Sequence, residues 1–210
     1  MNITPLTKIF IKNIMFRSKN KLLSVMNVED VLLSISKAYE AMQPRTFEKR
    51  DECKSWAKIN NNSKKLLFEN IAKYIVDYFN NPSFNFDAWH HETCDKILNE
   101  LNLLLTSAGY QEVKYGKAQK ILNVTFKLLY LYDDANTFNH LFKNCHFILD
   151  GANLNWYNGI TGSKIGAWSN LNYKEYMDIQ INIRKILMSQ IKYPQNPFEA
   201  EFYIWADYQF

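Results

Sequence analysis

Apolar residues along this chain recur mostly at intervals of three and four, the spacing of an amphipathic helix. Val28, Val31, Leu32, Ile35, Ala38, Tyr39 and Met42 share one face. Asn27 precedes them as an N-cap, Glu29 and Asp30 suit the positive first turn, and Pro44 ends the helix. A charged stretch over 47–59 predicts a further helical piece, broken by Asn60, Asn61 and Asn62. Ser63 is the expected cap of a helix carrying Leu67, Ile71, Tyr74, Ile75 and Tyr78, which Pro82 stops. A helix follows over 87–105, with His90, Cys94, Ile97, Leu98, Leu101, Leu104 and Leu105 inward. Gly109 marks the turn into a helix from Gly116 to Tyr132.

Beyond a short apolar run over 146–149 the texture changes. Gly151, Gly159, Gly162 and Gly166 interleave with Trp156, Tyr157 and Trp168, which predicts a long glycine- and aromatic-rich loop over 151–170 and a minor β element near 146–166. Asn172 caps a helix expected over 173–191. Asn196, Pro197 and Glu199 open the last helix, whose aromatic end should dock on the core. No repeat or linker interrupts the pattern. The expectation is a mainly α fold, a single multi-helix globular domain over 1–210, with at most a minor β element.

Composition narrows this further. The chain has 210 residues, 47% of them hydrophobic, enough for a sizeable core and against disorder. The formal charge of +4 permits a polyanionic partner without demanding one. Lys8, Lys12, Arg17, Lys19 and Lys21 with no acid before Glu29 make residues 1–25 either a basic arm or a helix with a solvated face. No apolar run approaches the ~20 residues of a membrane span, so no membrane partner is expected. No secretory signal is recognised, and Cys53, Cys94 and Cys145 contain no CxxC pair; a reducing, cytoplasmic location is expected.

The helix from Gly116 is apolar over more than half its circumference. Gln119, Lys120, Asn123, Lys127 and Tyr130 form one polar stripe, and Lys117 lies in the first turn beside unsatisfied N–H groups. That stripe is either a solvated face or a phosphate contact, in which Gly116 allows close approach and Lys117, Lys120, Asn123 and Lys127 meet the backbone of a nucleic acid. Asp150, between an apolar run and a glycine, is placed to activate water or stabilise a cationic sugar, or to cap the helix-like segment after it; the two are compatible. Trp156, Tyr157 and Trp168 either stack on bases, with Lys164 on phosphate, or anchor the loop to the core.

Other constellations carry less. His90, His91 and Cys94 share a helix but follow no metal-site spacing, so His90 and Cys94 read as core residues and no metal or cofactor is expected. Cys145 and His146 are consecutive and point apart in an extended segment. Asp133 and Asp134 oppose the helix dipole at a C-terminus, which hints at a role, although a turn explains them as well. No nucleophile elbow, P-loop or dinucleotide fingerprint is present.

The segment VKYGKAQKIL followed by the apolar run and aspartate of FILD resembles the helix-hairpin-helix DNA glycosylase superfamily, over about 40 residues (113–150). The resemblance implies that the turn over 114–120 holds a DNA backbone and that Asp150 supports attack at C1′ of a flipped nucleotide. Lys114 stands where the family has its first glycine, and Ala118 where bifunctional members have lysine. The implied activity is therefore monofunctional, with water as nucleophile. The expected function is a nucleic-acid-binding protein of glycosylase-like helical architecture that processes a base. The alternatives are a non-enzymatic helical module binding a protein partner, and a small-molecule enzyme using 151–170 as a lid.

Overall fold

The computed structural model describes residues 26–209 apart from 43, 45–46, 51–58, 83–84 and 133–136. The basic segment over 1–25, most of the stretch over 47–59, Cys53 and the Asp133–Asp134 pair lie outside the described residues. Among the described residues the chain forms eight α-helices and no strand: α1 Val28–Ala41, α2 Asn61–Asn80, α3 Phe86–Ser107, α4 Tyr115–Tyr132, α5 Asn139–Phe142, α6 Gly151–Thr161, α7 Tyr173–Met188 and α8 Pro197–Gln209. A short 3₁₀ turn, Trp168–Asn170, precedes α7. None of these helices is long and apolar enough to cross a membrane. The mainly α expectation holds.

α4 is the axis of the structure. Its 18 residues span about 27 Å, and every residue from Tyr115 to Leu131 is buried. α1, α3, α5, α7 and the 168–170 turn all pack on it, while α2 bridges α1 and α3 and α6 packs on α8. The aromatic residues meet edge to face, as in Tyr78–Phe126 and Phe86–Phe126, the arrangement their quadrupoles favour. Phe198 and Phe202 of α8 close on Tyr130, so the aromatic C-terminal helix docks on the core as its sequence suggested.

Several helix signals hold at the residue level. Asn172 forms a full capping box with Glu175, and Asn196 caps α8 by accepting from Glu199 N–H at 3.1 Å. α2 is capped by Asn60, which accepts from Asn62 N–H at 2.8 Å, and not by Ser63. Asparagine is as good a cap as serine, and the earlier one lengthens the helix by about a turn. α7 stops at Met188, short of Ile191.

The expected long loop is a correction. Residues 151–161 are the helix α6, capped by the Asp150 side chain, which accepts from Asn153 N–H at 3.1 Å. Its end is set by Gly162 in the left-handed region, at φ 71°, where a side chain is disfavoured. Gly151 and Gly159 weaken the helical pattern, but burial of Leu154, Trp156 and Tyr157 outweighs their propensity.

The apolar run over 145–149 is extended and buried without being a strand. Side-chain amides take the place of a neighbouring strand. Gln180 accepts from Phe147 N–H at 3.1 Å and donates to Phe147 C=O at 2.7 Å. Asn153 donates to Ile148 C=O and Gln119 to Leu149 C=O. Two connectors are clamped in the same way: Asn102 pairs with both backbone groups of Val113, and Asn158 with both of Ile165. A buried peptide group without a partner costs about 1–3 kcal/mol, so these amides fix where each connector lies.

Candidate functional site

The polar stripe of α4 is the second correction. Gln119, Lys120, Asn123, Lys127 and Tyr130 do not face solvent; all are buried. Tyr130 packs among Phe142, Phe198 and Phe202, and the other four divide into two networks, one neutral and one charged.

The neutral network assigns its own protons. Asn123 donates through Nδ2 to Gln119 Oε1 and to the Tyr176 hydroxyl, each at 2.9 Å. Its Oδ1 must therefore accept from His90 Nε2–H, also at 2.9 Å. The Tyr176 hydroxyl donates to His146 Nδ1 at 2.8 Å, and His146 Nε2–H donates to Asp87 at 2.7 Å. Arg184 grips both oxygens of Asp87 at 2.6 and 2.8 Å. The donors thus run in one direction, from the core to a carboxylate at the surface, where they polarise one another. His90 and Cys94 are core residues of this network, 3.7 Å apart, and among the described residues no group of three or more His, Cys, Asp or Glu is placed to hold a metal ion.

Burial pushes the His90 imidazole well below its ordinary pKa, and the adjacent His146 adds to this. Burial lowers His146 in turn, against the attraction of Asp87. Hydrogen bonds from Arg184 and then His146 hold the Asp87 carboxyl well below the usual carboxylate range. Both histidines are neutral in the fold, whereas in the unfolded chain they take up protons as pH falls through about 6.5. Stability is therefore complete above that pH and declines below it, by up to about 1.4 kcal/mol per pH unit for each histidine. The lowered Asp87 adds its loss only below its unfolded pKa of about 3.9. Thermal melts between pH 8 and pH 5 should show a midpoint that is flat above neutrality and falls on the acid side. A flat profile down to pH 5 would exclude buried neutral histidines.

The charged network lies along the rest of the stripe. Lys127 sits 2.9 and 2.8 Å from the two carboxylate oxygens of Glu201, with side chains 3% and 2% exposed. Asn153 donates to the same carboxylate at 3.0 Å. Two turns earlier, Lys120 Nζ lies 3.9 Å from Asp150 and 4.3 Å from the centre of the Trp168 ring. Lys117 Nζ also lies over the same indole, at 5.0 Å, and donates to Met42 C=O at 2.9 Å. Burial pushes Lys117 down to about 8 and lowers Lys120 also, although Asp150 opposes the shift at Lys120.

The start of α4 is not an open helix end. Gly116 N–H donates to Leu171 C=O at 3.0 Å, and Lys117 N–H to Lys114 C=O at 3.0 Å. A Cβ at residue 116 would overlap the Trp168 carbonyl, so glycine serves the close approach of the protein's own backbone. Comparison with protein families, curated proteins and solved structures finds no match for this chain.

The structure therefore brings together Gly116, Lys117, Lys120, Asp150 and Trp168, with Gly116 in the group through backbone contact alone, and places the other sequence-derived residues apart from them. Asn123 belongs to the neutral network and Lys127 to the Glu201 pair. Trp156 is buried against Phe147, and the Tyr157 hydroxyl accepts from Asn182 at 2.8 Å. Tyr157 and Lys164 line a separate cleft with α7. Lys117 lines a cleft with Phe47, Lys114 and Asn170 that Asp150 and Trp156 do not reach. Sequence reasoning missed Asp87, Tyr176, Arg184 and Glu201. Glu201 alone left a trace, as a carboxylate inside the aromatic run of the last helix.

Proposed function

We propose that this protein binds nucleic acid and acts at C1′ of an abasic nucleotide, with Lys120 as the amine and Asp150 as the carboxylate. One observation supports the reading: a lysine with a lowered pKa held between a carboxylate and the face of an indole. Perturbed amines of this kind gather at functional sites, and the neutral amine is the nucleophilic form. The Lys120 side chain is 8% exposed and that of Asp150 is 18%, so the pair lies just beneath the surface. The family resemblance puts alanine at residue 118 and water in the nucleophile's role; Lys120, two residues on, supplies an amine instead.

The chemistry balances without a further reagent. Asp150 takes one proton from the Lys120 ammonium. The free amine adds to the C1′ aldehyde of the opened sugar, giving a carbinolamine. Asp150 returns its proton to the hydroxyl, which leaves as water, and the product is a protonated imine. Trp168 covers the ammonium in the place a substrate ring would take, and an indole that stabilises a cation also suits the cationic imine.

Borohydride reduction of a mixture of the protein with an oligonucleotide carrying an abasic site tests this. The wild-type protein should become covalently linked to the DNA. Lys120→Arg should abolish the adduct, and Asp150→Asn should lower its yield at least tenfold, with thermal melts confirming that both variants are folded. Absence of an adduct with wild type, or an undiminished one with Lys120→Arg, would overturn the proposal.

A further inference from the structure

We infer that the cleft between the 164–171 connector and α7 binds the phosphate and base of a nucleotide within a single strand, a reading that rests on the nucleic-acid role proposed above. The cleft has a volume of about 770 Å³, within the ~300–1,000 Å³ usual for small-ligand sites. It is not part of the Lys120–Asp150 pair. Its walls divide by chemistry. Ile165, Leu171 and Ile179 give an apolar face on which a base can lie. Asn170 and Asn182 present amides, and Lys164 and Lys185 stand at the same cleft.

The polar groups match a nucleotide. Asn182 spends its Nδ2 on the Tyr157 hydroxyl at 2.8 Å, which leaves its Oδ1 to accept from a base edge and the Tyr157 proton to donate. Lys164 and Lys185 make no ion pair among the described residues, although both are exposed and near carboxylates of α7. Asp178 lies on the same wall and is suited to accept from a base amino group. Glu175 and Asp178 line the same cleft as Lys164 and Lys185, so its formal charges cancel, and the two exposed lysines are the groups that meet a phosphate.

The walls are also formed in advance. Asn158 clamps both backbone groups of Ile165, and Leu171 C=O is held by Gly116 N–H. A site whose backbone is fixed loses less entropy on binding. Ala167 and Asn170 line this cleft and also the cleft that holds Lys117, so the two adjoin at the 167–170 segment that carries Trp168. The cleft would hold the nucleotide next to the one presented to the amine.

Binding of a 5′-fluorescein oligothymidylate at low salt, with thymidine monophosphate as competitor, decides the matter. Lys164→Glu/Lys185→Glu should weaken oligonucleotide binding at least thirtyfold. Lys164→Gln/Lys185→Gln should lower the slope of log affinity against log salt by about 1.4, about 0.7 for each lysine that no longer neutralises a phosphate of the single strand. Both positions are exposed, so the fold should be retained. Unchanged affinity in the doubly charge-reversed variant would overturn the inference, as would a wild-type protein that fails to bind the strand. Binding of the monophosphate as tight as that of the strand would assign the cleft to free nucleotides and overturn it too. The borohydride adduct separates the two proposals: weakened binding without any wild-type adduct leaves the cleft standing and removes the amine chemistry, whereas an adduct with unaffected strand binding does the reverse.

Discussion

Lys127→Met lowers the stability of this protein by about 3–5 kcal/mol, the usual consequence of leaving one member of a buried ion pair alone. Glu201 would then be a carboxylate 2% exposed, with Asn153 as its remaining hydrogen-bond donor. Burial already raises its pKa even with Lys127 in place. For a chain of this size each kcal/mol moves the midpoint by roughly 2–4 °C, so the melt should fall on the order of 10 °C. The paired replacement Lys127→Met/Glu201→Leu should recover most of the loss, because desolvation of both charges disappears with their attraction. Thermal and urea denaturation of the two single variants and the double variant give the coupling directly. A Lys127→Met protein as stable as wild type would show that the pair does not exist in solution.

Asn123→Leu comes second, at about 3 kcal/mol or more. The two side chains have similar volume, so the change isolates hydrogen bonding. His90 Nε2–H loses its acceptor and Gln119 Oε1 its donor, each a buried group worth about 1–3 kcal/mol when orphaned. Tyr176 keeps its bond to His146. Urea denaturation measures the loss, and NMR offers an independent view. The slowly exchanging Nε2–H of His90 should be visible in the wild type and absent from the variant. Persistence of that proton together with unchanged stability would contradict the direction of donors deduced for the network.

Order is legible in the sequence where a local cause produces it. The helix periods, the Asn172 and Asn196 caps and the stops at Pro44 and Pro82 depend on residues a few positions apart. The segment over 151–170 reads as a loop because Gly151 and Gly159 lower helix propensity, while the burial that overrides them comes from α8, far along the chain. The polar stripe of α4 is ambiguous for a related reason. Gln119, Lys120, Asn123 and Lys127 have the spacing of a solvated face, and nothing in that spacing tells water from Asp150, Glu201, Tyr176 and His90 as the partner.

The candidate site shows the same division. Asp150 as a cap follows from its position before a helical segment. Its proximity to Lys120 does not, because the two are distant in sequence and only the tertiary packing brings them to 3.9 Å. Trp168 is one aromatic among several in the sequence, and it becomes the cover of two lysines once its carbonyl is seated against Gly116.

The sequence by itself determined that this chain is a set of amphipathic helices with defined ends, because periodicity and capping are short-range effects. It also determined that one helix, α4, would be largely buried. The tertiary structure alone decided what satisfies the polar groups carried into that burial. A buried donor or charge is stable only beside its complement, and that complement comes from whichever distant element packs there. The same contacts set the pairing of Lys120 with Asp150 and the shape of the cleft beside α7.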